Sequence, residues 1–391
     1  MEWIKTRIGD CIQCNPSIKL EKGKEYPIID IDKITIGRKF ATNAETLIYS
    51  NQSGCKFQKG DTLMARITPC LENGKMAQAR IADKGIGSTE LFVFRGMENV
   101  TDNDFVYYFI KQQYIRDLAA NSMSGASGRQ RADLKFVKKI QFALPPLPIQ
   151  HKIASILSTY DNLIENNTKR IKLLEQMAEN LYKEWFVRFR FPGHENMEME
   201  NGLPKGWKRA KLSEIASYST IKINSSIIDF YVSTENMLKD CAGVDTNMFI
   251  EAPEGNVTKV CVNDILVSNI RPYFKKIWLA DKESGCSNDV LNIKANKGID
   301  SSFLYYTIRK DSFFEHMVAG SNGTKMPRGN KNFTMKYQVI VPNDIVMKRF
   351  SNIAQKINEQ KQNLLKQSSI LAHQRDLLLP RLMSGKLEVK V

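Results

Sequence analysis

The chain has 391 residues, too many for one ordinary domain, and its 42% hydrophobic and 25% charged residues are typical of a globular protein. Its 57 Lys and Arg against 42 Asp and Glu leave a net charge of +15, which favours a polyanionic partner such as nucleic acid over charge that serves solubility alone. No stretch of about 18 apolar residues occurs, so no membrane span is expected.

The N-terminal segment and the cysteines indicate the cellular compartment. Residues Met1–Arg7 lack the apolar core of a signal peptide, and the seven cysteines are scattered and odd in number. We therefore expect a cytoplasmic protein with reduced thiols. Cys11 and Cys14 form a CxxC pair, but no second pair or histidine cluster follows at zinc-site spacing, so no metal is predicted.

Each half of the chain presents the same order of predicted elements. Short β-rich runs come first, an amphipathic helix and a polar loop follow, and a last strand precedes a long helix. In the first half the runs are Tyr26–Ile31, Thr62–Ile67 and Leu91–Phe94, the helix is Asp104–Ala120 and the last strand is Phe136–Leu144. The corresponding helix and last strand of the second half are Ser301–Val318 and Phe333–Val341.

These two halves form an internal repeat of roughly 200 residues. Three motifs recur in the same order, and the last strand of each half ends in an apolar residue followed by proline. The offset falls from 204 to 197, as small loop insertions and deletions would produce. The matched segments are Trp3 with Trp207, Gly60–Pro69 with Asn263–Pro272, Phe105–Ile110 with Phe303–Ile308, and Leu144-Pro145 with Val341-Pro342.

A heptad pattern of apolar residues runs along both long helices, and Asn167 fills one position of the first. The predicted seam consists of Ile153, Leu157, Tyr160, Ile164, Asn167, Ile171, Leu174 and Leu181, with Phe350, Ile357, Leu364, Leu371 and Leu378. We predict an α+β protein in which two pseudo-symmetric domains are joined by two long antiparallel helices forming a coiled-coil rod. Pro380 is expected to interrupt the second helix. The alternative is that each helix packs only on its own domain.

No catalytic residue set is evident. The chain contains no GxxxxGK[ST], GxGxxG or HExxH motif and no Asn/Asp-Pro-Pro-Tyr/Phe sequence. The four histidines form no recognisable grouping with cysteine, serine or aspartate. We therefore predict a binding protein without catalytic residues.

Two kinds of basic, polar segment are the candidate DNA-binding sites, because Arg, Lys, Asn and Gln can contact phosphates or base edges. The loops that follow the amphipathic helices contribute Ser124, Gly125, Arg129, Gln130, Arg131, Asn322, Lys325, Arg328 and Lys331. The turns that follow a buried strand contribute Arg66, Thr68, Asn269, Arg271, Tyr273, Lys275 and Lys276. The alternative for each is an ordinary solvated loop residue.

Four further segments resemble the specificity subunits of type I restriction–modification systems. They resemble the start and end of that family's central helix, the opening of its second module and its C-terminal sequence. They are Ala143–Ala154, Leu181–Phe189, Gly202–Trp207 and Leu377–Leu387. Residues Val341–Asp344 depart from the Pro-Pro-Leu-Pro form of the first half.

The resemblance implies target-recognition domains at 1–148 and 191–345, a central helix at 149–190 and a C-terminal helix and tail at 346–391. Such a chain would bind a bipartite, asymmetric site in double-stranded DNA and dock two methyltransferase subunits and restriction subunits. S-adenosylmethionine, ATP and Mg would bind to those partners, with no cofactor on this chain. The alternatives are the recognition subunit of a type IIB-like system and a stand-alone coiled-coil DNA-binding regulator.

Overall fold

The computed structural model describes residues 3–41, 45–81, 83–126, 128–246 and 248–389. It forms two compact units, one comprising Met1–Ile171 with Asn363–Val391 and the other Lys172–Gln362. Each unit contains part of both long helices. Units of this kind are defined by compactness, so the predicted domain bounds, which separate globular modules from helices, stay predictions.

The first unit contains two four-stranded sheets and a two-stranded ribbon. Its strands are β1 (Ile4–Arg7), β2 (Ile12–Cys14), β3 (Glu25–Ile29), β4 (Glu45–Ile48), β5 (Cys55–Gln58), β6 (Thr62–Ala65), β7 (Met76–Gln78), β8 (Lys84–Gly87), β9 (Leu91–Gly96) and β10 (Gln141–Leu144). The sheet orders are β2-β9-β6-β7 and β4-β3-β8-β5, and β1 pairs with β10. All four residues of β6 are buried, so its Thr-Leu-Met-Ala sequence contains no charged residue and does not alternate between apolar and polar residues as a half-exposed strand would.

The second unit repeats most of this arrangement and adds a two-stranded ribbon formed by its first two strands. Its strands are β11 (Met199–Glu200), β12 (Leu203–Pro204), β13 (Lys208–Lys211), β14 (Ala216–Tyr218), β15 (Lys222–Asn224), β16 (Tyr231–Val232), β17 (Asn256–Val260), β18 (Ile265–Ser268), β19 (Ile277–Leu279), β20 (Ser284–Cys286), β21 (Val290–Ala295) and β22 (Gln338–Val341). The order β14-β21-β18-β19 matches β2-β9-β6-β7, and β13 pairs with β22 as β1 pairs with β10. In the other sheet, β16 and β20 are parallel, as β3 and β8 are. The predicted repeat is therefore confirmed.

Shorter helices cover these sheets. They are α1 (Ile8–Cys11), α2 (Asn103–Lys111), α3 (Gln113–Asn121) and α4 (Leu134–Lys139) in the first unit, followed by α5 (Leu147–Tyr182). In the second unit they are α6 (Leu212–Ile215), α7 (Ser301–Ile308), α8 (Asp311–Ala319) and α9 (Lys331–Thr334), followed by α10 (Asp344–Met383). No described helix is long and apolar enough to cross a membrane.

Two kinds of predicted element differ from the structure in both units. Each predicted amphipathic helix is two helices, and in the first unit the break lies at Gln112, whose ψ of 138° is extended. This break lets Ile115 and Ala119 of α3 enter the core. The predicted last strands begin later than expected, because the side chains of Asp133 and Asn330 accept hydrogen bonds from backbone amides and cap α4 and α9.

The long helices run antiparallel within each unit. In the first unit, Asn167 Nδ2 donates to Ser368 Oγ at 3.3 Å, and Arg375 pairs with Asp161. In the second unit, Lys361 Nζ lies 3.1 Å from Glu175. As residue numbers rise along α5, those of the partners on α10 fall. Every predicted seam residue is buried or half-buried, so the predicted pairing is confirmed.

Both long helices also contribute to the globular core of each unit. In the first unit, Ile153 and Leu157 of α5 join Leu379 and Leu382 of α10 in one cluster. In the second, Tyr182 of α5 and Phe350 and Ala354 of α10 do the same. The prediction that Pro380 interrupts α10 is wrong, since the helix continues to Met383. Burial of Leu379 and Leu382 holds this last turn in place.

Candidate nucleic-acid interface

In the first unit, one hydrogen-bonded assembly joins the turn after β6 to the polar loop after α3. Ser124 and Arg131 exchange backbone hydrogen bonds of 3.1 and 3.0 Å, which close the loop into a small hairpin. Thr68 N donates to the Gln130 carbonyl at 3.0 Å, and Ala132 N donates to the Arg66 carbonyl at 2.8 Å. The two segments predicted as separate candidates therefore lie side by side.

The second unit repeats this assembly with different side chains. Asn322 and Arg328 exchange backbone hydrogen bonds of 3.0 Å each. Arg271 N donates to the Pro327 carbonyl at 2.8 Å, and Gly329 N donates to the Asn269 carbonyl at 2.9 Å. Each bond has its counterpart in the first unit, so each unit holds its loop with the same pattern of backbone hydrogen bonds.

Arg66 and Asn269 occupy equivalent places and lie largely inside the scaffold. The Arg66 guanidinium is 4.8 Å from the centroid of the Phe92 ring, and its Nη2 lies 3.4 Å from the Ala132 carbonyl. Asn269 is buried, and a Cβ at Gly329 would come within 2.7 Å of its Oδ1. Gly329 therefore permits the close approach. These two side chains therefore pack beneath the loops and do not project from them.

Other predicted cations are engaged by neighbouring groups. Arg131 pairs with Glu90 at 2.6 Å and Arg328 with Asp289 at 3.1 Å. Lys275 Nζ lies 2.7 Å from Asp311.

Lys276 and Arg271 are also half-buried. Lys276 Nζ donates to the Thr234 carbonyl at 2.6 Å, and burial lowers the pKa of its ammonium group. Arg271 has a φ of 49° and is half-buried.

The loop tips carry two basic side chains that are both exposed and free of an acidic partner among the described residues. Within the described part of the chain, Arg129 and Lys325 make no side-chain hydrogen bond or ion pair, and both are exposed. Gly125 and Gly323 have φ values of 122° and 96°, which glycine tolerates and which let the hairpins turn. Ser124, Asn322, Tyr273 and Lys331 are also exposed, Thr68 and Gln130 are half-buried, and Ser127 lies outside the described residues.

The predicted sites omitted the acidic partners Glu90 and Asp289. Each directly precedes a central strand, β9 or β21, and the two acids match within the repeat. Aligning the halves for acidic as well as basic residues could have found them.

The CxxC cysteines provide no activated nucleophile. Burial raises the pKa of Cys11 to about 12 and that of Cys14 to about 11. Both thiols therefore stay protonated at neutral pH, whereas nucleophilic cysteines need a lowered pKa.

Known proteins share both the sequence features and the fold. Residues 2–176 match the family model described as the type I restriction modification DNA specificity domain. The MjaIX specificity subunit of a type I restriction enzyme from Methanocaldococcus jannaschii is 23% identical over 345 residues, covering 80% of this chain and 77% of that protein. The MjaVIII specificity subunit of the same organism is 23% identical over 420 residues, covering 100% of this chain and 94% of its own.

A solved structure agrees at the level of the fold. The type I restriction–modification system S subunit from M. genitalium has a TM-score of 0.51 and 17% identity, covering 97% of this chain and 96% of that one. The family model and the relatives agree with one another. The chain carries a type I restriction modification DNA specificity domain in residues 2–176 and is similar along its length to type I specificity subunits.

Proposed function

We propose that this chain supplies the DNA sequence specificity of its complex by binding a bipartite, asymmetric site, with one half-site bound by each unit. The observation that carries this proposal is the pair of loop assemblies. Their backbone hydrogen bonds correspond, whereas the side chains they present differ: Arg129 and Gln130 in one unit, Lys325 and Pro327 in the other. Two loops with the same backbone arrangement but different side chains are suited to binding two different half-sites.

The chemistry would reside on partner subunits. Two methyltransferase subunits would bind S-adenosylmethionine and methylate adenine, and restriction subunits would use ATP and Mg. The long helices are suitable docking surfaces, because large apolar side chains are exposed on both, namely Leu163, Leu173, Met177, Ile370 and Leu377. The chain itself would contribute no cofactor and no catalytic residue.

Two alternatives make different predictions for purified material. The recognition subunit of a type IIB-like system would also copurify with a methylating partner. A stand-alone coiled-coil regulator would bind DNA without one. Copurification with a methyltransferase subunit therefore separates the regulator from the other two.

The loop tips give the direct test of DNA contact. Arg129→Ala is expected to weaken binding of the assembled methyltransferase at the first half-site and Lys325→Ala at the second. A lost base contact costs about 1–3 kcal/mol at one position, whereas a lost phosphate contact weakens all sequences and lowers the salt slope by roughly one. Binding to singly substituted sites across a salt series measures both effects.

Exposed lysines away from the loops serve as controls for charge alone. The control variants are Lys59→Ala, just before the first residue of β6, and Lys297→Ala, just after the last residue of β21. Both are expected to bind like the parent. If Arg129→Ala and Lys325→Ala also bind every site like the parent, the loop tips make no DNA contact.

A further inference from the structure

An arginine–carboxylate pair lies at the base of each candidate loop. Arg131 donates through Nε to Glu90 Oε2 at 2.8 Å and through Nη2 to Oε1 at 2.6 Å, which is a two-pronged contact. In the second unit, Arg328 Nη2 lies 3.1 Å from Asp289 Oδ1. Hydrogen bonds between two charged groups are about twice as strong as neutral ones. Both pairs can therefore restrain the loops they hold.

Three segments of the chain meet at each pair. The acid precedes β9 or β21, and its carbonyl accepts a hydrogen bond from the turn after β6 or β18: Arg66 N to Glu90 at 2.9 Å, and Asn269 N to Asp289 at 2.8 Å. The arginine is the residue that closes each loop hairpin. The pair thus links the loop to the strand and the turn that support it.

The pair is present in both units although its surroundings differ. Arg66 corresponds to Asn269, and Ala132 corresponds to Gly329. Among these neighbours, the opposite charges at the loop base are the shared side-chain chemistry. This pattern fits a structural requirement of the loop better than the recognition of two different half-sites.

The geometry also disfavours direct DNA contact by Arg131. Its Nε and Nη2 are both used by Glu90, so that edge of the guanidinium is not available to a base. Moving the arginine to DNA would leave the Glu90 carboxylate, whose side chain is only 22% exposed, unpaired beside the phosphates. The contact with Arg131 also holds the pKa of Glu90 below its usual value, so the carboxylate stays charged.

We propose that Glu90–Arg131 and Asp289–Arg328 are positioning pairs that fix the two recognition loops, and that DNA contacts fall to the loop tips around Arg129 and Lys325. This inference rests on the proposed function only in calling the loops recognition elements. The restraint on the loop itself can be measured without DNA.

Glu90→Gln removes the charge and keeps the shape of the side chain. In the full chain, we expect amide hydrogen exchange across the first hairpin, at Ser124 and Arg131, to become about two- to fourfold faster, because the ion pair is partly exposed, while Asn322 and Arg328 keep the parent rate. Unchanged exchange at Ser124 and Arg131 would overturn the proposal.

DNA binding by the assembled methyltransferase gives a second readout, in which a purely electrostatic effect of Glu90→Gln and the loss of a positioning role predict different results. Removal of a negative charge near DNA should by itself tighten binding to every sequence. A positioning role instead predicts a loss of discrimination at the first half-site of about two- to fourfold, with the second half-site and the salt slope unchanged. Tighter binding to all sequences without loss of discrimination would overturn the proposal.

Charge reversal distinguishes a restored pair from a lost contact. Glu90→Arg combined with Arg131→Glu is expected to recover both exchange protection and discrimination relative to Arg131→Glu alone. If Arg131 contacts DNA, the double variant loses affinity and its salt slope falls by about one. Asp289→Asn repeats the test for the second half-site. If the parent complex has no sequence preference, the proposed function fails, and the exchange result still decides the positioning role.

Discussion

Replacing residues 1–145 with the corresponding module of a related specificity subunit is expected to change one half of the methylated DNA motif and leave the other half intact. The reason is that the first unit has its own sheets, core and loop assembly, and none of its described strands pairs with a strand of the second unit. Sequencing of methylated adenines in cells that express the chimaera with its methyltransferase measures the outcome.

The design of this chimaera follows from the contacts between module and helix. Tyr108 donates to Asp161, and Lys39 Nζ donates to Ser158 Oγ at 2.9 Å, so the donor module should carry both residues or receive them. Exchange of residues 191–341 is the matched control and should alter the other half of the motif. A change in both halves, or in neither, in a chimaera that still methylates DNA would contradict independent half-site recognition.

The second large effect is on stability. Asp161→Ala is expected to lower the free energy of unfolding of the first unit by about 1–3 kcal/mol, because it removes the buried acceptor of Arg375 Nη1 and of the Tyr108 hydroxyl. Asp376 still pairs with the other edge of the Arg375 guanidinium. The Asp161 and Arg375 side chains are both 1% exposed, and Arg375 Nη1 has one other described acceptor, the Gly37 carbonyl at 3.0 Å. Urea unfolding followed by hydrogen exchange of peptides from each unit would locate the change in the first.

Two further variants separate the buried pair from ordinary helix ion pairs. Glu175→Ala disrupts the contact between Glu175, whose side chain is 30% exposed, and Lys361, whose side chain is 19% exposed. It should lower the free energy of unfolding by about 1 kcal/mol or less. Asp161→Leu with Arg375→Met removes both buried charges and should recover most of the lost stability. A loss below about 1 kcal/mol for Asp161→Ala would show that the pair does not matter.

Periodic features of the sequence were sufficient to predict the architecture. The heptad spacing from Ile153 to Leu181 and from Phe350 to Leu378 predicted the paired helices, because each seven-residue step returns to the same helix face. The repeat predicted two similar units. Residues that interrupt a pattern were harder to anticipate, since the break at Gln112 depends on how Ile115 and Ala119 pack in the core.

The candidate site was only partly predictable for a similar reason. Sequence chemistry identified the basic loops, but it could not tell the half-buried Arg66 from the exposed Arg129. The Glu90–Arg131 pair joins residues 41 positions apart, so no local spacing encodes it. Contacts between distant segments decide which cations are already paired and which are available to a ligand.

We propose that this chain determines which DNA sequence its complex modifies. The most direct test is the map of methylated adenines in the source genome with and without the gene. We expect a motif with two specific halves and a non-specific spacer, which is lost on deletion of the gene and restored by the parent gene, and one half of which is altered by Arg129→Ala. Retention of the same methylated motifs after deletion of the gene would contradict this proposal.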